Sequence, residues 1–187
     1  MEISRRDWMA TSWLLAALPE IAAAQEHAHN AVKSATPPGF SYLDDAAARE
    51  IGALAECILP SDETPGAKEA GVIYFIDRAL TTFAKDQQDV YRAGLSEAEQ
   101  NRLKLFPGSE NIAALTEEQR MEVVKSIERT PFFQALRFHT LAGFLSDPSY
   151  GGNRGGAGWQ AISFDNAMTH EPPFGFYDRE ANEGTKN

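Results

Sequence analysis

Few residue groupings in this chain could carry chemistry. Gly156-x-Gly158-x-x-Ala161 has the outline of a pyrophosphate-cradling loop, but that loop works only between a strand and a helix inside a βαβ unit. Here a helical run and the turn Asp147-Pro148-Ser149 come before it, so nucleotide binding is not expected. Nucleophilic catalysis lacks its parts. There is no G-x-S-x-G elbow, the single cysteine, Cys57, has no histidine near it in sequence, and no carboxylate pair stands out among the acids of the solvated helix faces. The four histidines His27, His29, His139 and His170 are scattered. Only His139 falls on a firm helical pattern, where a satisfied core imidazole is expected rather than a metal ligand. Cleavage after Ala24 would place His27 third from a free amine, an arrangement that can bind Cu(II) or Ni(II) in a square plane. A new N-terminal Gln25 tends, however, to cyclise and remove that amine. The sequence therefore presents no active site and no metal site of its own.

The elements that would position these residues are helical. Ile51, Leu54, Ala55, Ile58 and Leu59 follow the 3.6-residue period from Asp44 until Pro60 stops it. Thr64 is placed as an N-cap with Pro65 at the first helical position, opening a second helix with Val72, Phe75, Ile76, Ala79, Leu80 and Phe83 on one stripe. A third, from about Asp86 to Phe106, turns Tyr91, Leu95, Ala98, Leu103 and Phe106 inward, and Pro107-Gly108 breaks it. Thr116-Glu117-Glu118-Gln119 has the form of a capping box and starts a fourth helix, to Arg129. Thr130-Pro131 starts a fifth, Phe132 to Leu145, which is apolar on nearly all sides and so is expected to be central or to face a partner. No segment alternates as a half-buried strand does. The fold class expected is all-α, a single-domain bundle of about five helices.

Beyond Leu145 the character changes. Tyr150-Gly151-Gly152-Asn153-Arg154-Gly155-Gly156-Ala157-Gly158-Trp159 sets five glycines between two aromatics. Glycines let a backbone approach another surface closely, and Arg and Trp are enriched at interface hot spots. Tyr150, Gly151, Gly152, Asn153, Arg154, Gly158 and Trp159 are therefore the expected partner interface. The chain divides into a leader (1–24), a linker (25–41) without core contacts, the helical domain (42–164) and an irregular tail (165–187).

Charge and leader bound the setting. The net charge is −10, and a leader holding two Arg and three acids leaves −9 on removal, which argues against nucleic acid and anionic lipid as partners. A single cysteine excludes an internal disulfide, and about 163 residues are enough for a self-sufficient core. Ser4-Arg5-Arg6-Asp7-Trp8-Met9, the apolar run from Ala10 to Leu18 and Ala22-Ala23-Ala24 follow the order of a secretory signal. Arg5 and Arg6 resemble the twin-arginine pattern S-R-R-x-F-L-K, with Trp8 for Phe, Met9 for Leu and Ala10 departing from Lys. That route exports folded cargo; a plain secretory signal or a chance amphipathic helix are the alternatives. The apolar run, interrupted by Pro19 and Glu20, is shorter than the ~20 residues of a membrane span, so a periplasmic protein is expected.

Several motifs together resemble the gluconate 2-dehydrogenase subunit 3 family. They are Ile58-Leu59-Pro60-Ser61-Asp62, Thr64-Pro65-Gly66-Ala67, Gly71-Val72 with Phe75-Ile76-Asp77, and Phe144-Leu145-Ser146-Asp147-Pro148-x-Tyr150-Gly151-Gly152-Asn153-Arg154 followed by Gly158-Trp159. The likeness runs from Tyr42 to Phe164. Gln160, often Lys in the family, and Ser163, often Gly, depart from it. The resemblance implies a helical small subunit without a cofactor of its own, beside a large FAD-containing subunit of the glucose-methanol-choline type that oxidises a sugar or sugar acid. Such complexes frequently add a cytochrome subunit carrying haem c, and the resemblance implies association with the cytoplasmic membrane through the complex. The small subunit would supply passage through the twin-arginine translocase and help its partner mature. The contrasting reading is an independent periplasmic binding or metal-handling protein that uses His27 or the glycine-rich loop.

Overall fold

The computed structural model describes residues 39–167. The leader with Arg5 and Arg6, His27, His29, His170, most of the linker and nearly all of the tail lie outside them. The described residues form six α-helices and no strand: α1 Asp45–Ile58, α2 Val72–Thr81, α3 Gln88–Leu105, α4 Glu117–Ile127, α5 Pro131–Leu145 and the short α6 Ala157–Ala161. The class is all-α, as the periodicity implies. Where a five-helix reading leaves a loop, the Gly-rich segment adds α6.

Helix α1 begins where Asp44 accepts from the Ala47 N–H, a cap worth about 1 kcal/mol. It buries Ile51, Leu54 and Ala55, while Ile58 and Leu59 are only partly covered. The start of α2 differs from the expected one. Thr64 caps nothing: its N–H and hydroxyl both bind the Asp62 carboxylate, at 2.8 and 3.0 Å. The chain from Pro65 folds back over the end of α1 instead, the Ala67 N–H reaching the Leu59 carbonyl at 2.8 Å. Helix α2 starts only after Gly71, whose left-handed φ of 67° breaks the preceding turn. It buries Val72, Phe75, Ile76, Ala79 and Leu80, but it ends at Thr81, and Phe83 beyond it points outward.

In α3 the buried stripe is Tyr91, Gly94, Ala98 and Arg102. Leu103, expected inward, is exposed, because burying Arg102 at the neighbouring position turns it to solvent. Thr116 and Gln119 form the anticipated capping box of α4, which stops at Ile127, short of Arg129. Thr130 caps α5 through the Phe133 N–H, with Pro131 at the first position. Helix α5 is central and packs against every other helix. Phe132 meets Tyr91 edge-on at 5.3 Å, and Phe75 of α2 lies over Gly143.

Three buried charged side chains pin irregular backbone to helices. Asp77 of α2 accepts from the N–H groups of Ser41, Tyr42 and Leu43 at 2.8–2.9 Å, while Phe40 stacks on Tyr74 at 5.0 Å. Residues 40 and 41, expected to be free linker, are therefore held on the domain. Glu50 of α1 accepts from Ile112 N–H at 2.7 Å and Ala113 N–H at 3.3 Å. Arg102 donates to Glu99 at 2.6 Å and to the Ser109 carbonyl at 2.6 Å. Burying a polar group without such partners costs several kcal/mol, so each pin fixes one arrangement of its loop.

Burial, opposed by the two backbone donors and reinforced by Glu99, raises the Glu50 carboxyl above its ordinary value of 4.5. A raised folded-state value means that the stability contributed is full below pH 4.5 and is lost as pH rises through the folded value. The expected outcome for Glu50→Gln, which keeps an acceptor for Ile112 without the charge, is a flatter urea-midpoint profile between pH 4.5 and 7. Parallel profiles for the two proteins would show that burial of this carboxylate costs nothing.

Candidate partner interface

The Gly-rich segment is built on a local problem at the end of α5. The last carbonyls of any helix lack intrahelical donors and need partners from elsewhere. Ser146 N–H supplies Ala142 O at 2.8 Å, and the segment that follows supplies the next. Trp159 Nε1 donates to Leu145 O at 2.8 Å, and Asn153 Nδ2 donates to Ser146 O at 2.8 Å. The Asn153 side-chain oxygen in turn accepts from Gly158 N–H at 2.8 Å, so one fully buried amide ties the helix end to the start of α6.

Two glycines make this approach possible. A Cβ on Gly152 would lie 2.1 Å from the Gly143 carbonyl oxygen, and one on Gly158 would lie 1.8 Å from that of Phe144. Both are impossible contacts, so the segment lies directly on the backbone of α5. Asn153 has a positive φ of 46°, a conformation Asn tolerates better than most residues. Arg154 completes the closure toward α2: its N–H reaches Ala70 O at 3.0 Å, and its guanidinium sits 4.0 Å above the Tyr74 ring, the ring on which Phe40 stacks. The N-terminal end of the domain and the C-terminal segment therefore share one stack. Arg78 also donates to the Ser149 carbonyl.

Of the residues singled out from sequence, Gly152, Asn153 and Gly158 are buried, and Gly151, Arg154 and Trp159 are half-buried. Tyr150 is exposed at 56%. The structure brings all seven into one feature, in which most of them grip their own chain. What the feature presents outward is a set of apolar side chains that composition alone did not pick out. Ile162 (58%), Phe164 (50%) and Leu145 are exposed, and the Phe164 ring meets Trp159 edge-on at 5.7 Å. The signal for them was the density of aromatic and aliphatic residues after Gly158 in a stretch short of helix formers.

The N–H groups of Arg154, Gly156 and Gly158 are spent on Ala70 O, Asn153 O and the Asn153 side chain, so these three are not offered to an anion. Cys57 is half-buried with its thiol against Ala53 O, and burial pushes its ionisation up, which suits an inert side chain. Among the described residues no three His, Cys, Asp or Glu are grouped to hold a metal, and no helix is long and apolar enough to cross a membrane.

Asn153→Ala is expected to destabilise the domain by about 3 kcal/mol, since it leaves Ser146 O and Gly158 N–H without partners in a buried site. Asn153→Gly is expected to fare little better, because it relieves the backbone and restores neither bond. Urea unfolding of the three proteins checks this, and a loss below about 1 kcal/mol would remove the amide from its keystone role.

A comparison with protein-family models matches residues 45–165 to the one described as Gluconate 2-dehydrogenase subunit 3. No curated protein and no solved structure matches the chain.

Proposed function

The chain belongs to the gluconate 2-dehydrogenase subunit 3 family, and from that premise we propose that it is a non-catalytic small subunit whose Gly-rich segment docks a large FAD-containing sugar or sugar-acid dehydrogenase. The observation that carries the reading is the exposed apolar edge of Tyr150, Ile162, Phe164 and Leu145 on a backbone locked by its own hydrogen bonds. Large apolar side chains left exposed on and beside one short segment are what a contact surface requires. A frame ordered in advance loses little conformational entropy on binding. Hydride and electron transfer belong to the FAD of the large subunit and to haem c in a cytochrome subunit. The role of this chain is to bind, orient and stabilise.

The Arg5-Arg6 leader supports a second part of the proposal. A twin-arginine signal carries folded cargo, so one leader on the small subunit exports both proteins to the periplasm after the flavin has been inserted.

Two measurements test these parts separately. Tyr150→Ser with Ile162→Ser is expected to weaken association with the co-expressed large subunit at least tenfold, as loss of interface anchors does, while the urea midpoint stays put because neither side chain fills the core. Full association by this variant would remove the edge as the docking surface. Arg5→Lys with Arg6→Lys is expected to leave the complex assembled and its dehydrogenase activity in the cytoplasmic fraction; undiminished periplasmic activity would refute the export role.

A further inference from the structure

A second feature, where the end of α2, the start of α3 and the outer side of α5 meet, plays no part in the surface just described. Phe83, beyond the end of α2, and Phe138, on α5, are 64% and 62% exposed. His139, only 3% exposed, lies next to both rings, with centroid separations of 6.2 and 5.6 Å. With Ala135, Asp86 and Gln134 these residues line an open groove of about 500 Å³, within the 300–1,000 Å³ usual for small-molecule sites.

The hydrogen bonding of His139 fixes which ring nitrogen carries its donor. Its Nδ1 is 2.9 Å from the Tyr91 hydroxyl. Burial raises the phenol far above its ordinary range, so it stays protonated, and that nitrogen is its only hydrogen-bond partner among the described residues. Were Nδ1 to carry the proton instead, the buried phenol O–H would have no acceptor, at a cost of about 1–3 kcal/mol. Tyr91 therefore donates and Nδ1 accepts. Burial, opposed by the Asp86 carboxylate, lowers the imidazole below its ordinary value of 6.5, so at neutral pH its one proton is on Nε2, which has no partner among the described residues. This leaves an N–H donor beside the two exposed rings, on a residue that lines the groove.

We propose that this groove binds a neutral, flat ring compound bearing a carbonyl oxygen, the ring covering Phe83 and Phe138 and the oxygen accepting the Nε2 proton of His139. Asp86 at the rim and a net charge of −10 disfavour an anion. A cation would bring donors to a donor. A carbonyl on an uncharged ring suits both the N–H donor and the two exposed rings.

The test uses the full chain, ¹⁵N-labelled at histidine and titrated with 1-indanone, with indane as the same ring system lacking the oxygen. The expected result is a shift of the His139 Nε2 resonance and about tenfold tighter binding of indanone than of indane, the contribution of one net hydrogen bond. Phe83→Ala with Phe138→Ala, both at exposed positions, is expected to lower indanone affinity more than tenfold with histidine chemical shifts otherwise native. Equal affinity for the two probes, a still His139 resonance, or an unchanged affinity in the double variant would overturn the assignment. If the large dehydrogenase subunit moves that resonance and indanone does not, the groove is a protein socket and the small-molecule site is refuted. The measurement needs no partner, so its failure is separate from failure of the docking role.

Discussion

The end of α5 is the constraint on which the rest of the domain depends. A central helix that packs against all the others ends, like any helix, in carbonyls that lack intrahelical donors. Asn153 and Trp159 supply the donors for Ser146 O and Leu145 O. To bring them there, the chain must reverse directly onto the α5 backbone, which only glycine permits at positions 152 and 158. Tyr150, Ile162 and Phe164, carried on the same stretch, are left exposed. The surface proposed for a partner is thus a by-product of how the helix is capped, and it inherits the rigidity of the cap.

The same device recurs elsewhere with charged groups. Asp77 collects three backbone N–H groups at the N-terminal edge of the domain, Glu50 collects two from the loop before α4, and Arg102 holds the loop after α3 by the Ser109 carbonyl. Each takes a charge out of water, which is unfavourable unless the group is fully bonded. Such pins favour a single arrangement over maximal stability, a trade that suits the proposed role of presenting one surface. The Phe40–Tyr74–Arg154 stack links two of these regions, so the point at which the N-terminal segment joins the domain lies beside the Gly-rich segment.

Much of the architecture was legible in the chain. The all-α class, the Asp44, Thr116 and Thr130 starts and the centrality of α5 follow from periodicity and capping chemistry, which act within a few residues. Errors arose where particular hydrogen bonds, or an early helix end, outweighed the periodic signal. Thr64-Pro65 reads as a helix start, yet Asp62 takes up both Thr64 donors and the backbone of α1 takes up the turn that follows. Leu103 reads as core, yet Arg102 next to it has Glu99 and Ser109 to bond inside. Phe83 reads as the end of the α2 stripe, yet the helix ends two residues before it.

Sequence by itself determined that this is a helical chain with a Gly-rich, aromatic segment after its most apolar helix, and the spelling of that segment carried the family. Composition and spacing also gave no grouping of nucleophile, base or metal ligands, because such groupings need residue types that can be counted. Tertiary structure alone decided which side of that segment faces in. Whether Asn153 or Tyr150 meets a partner depends on which carbonyls α5 leaves open and where they lie. That is a matter of position in space, to which spacing along the chain gives no access.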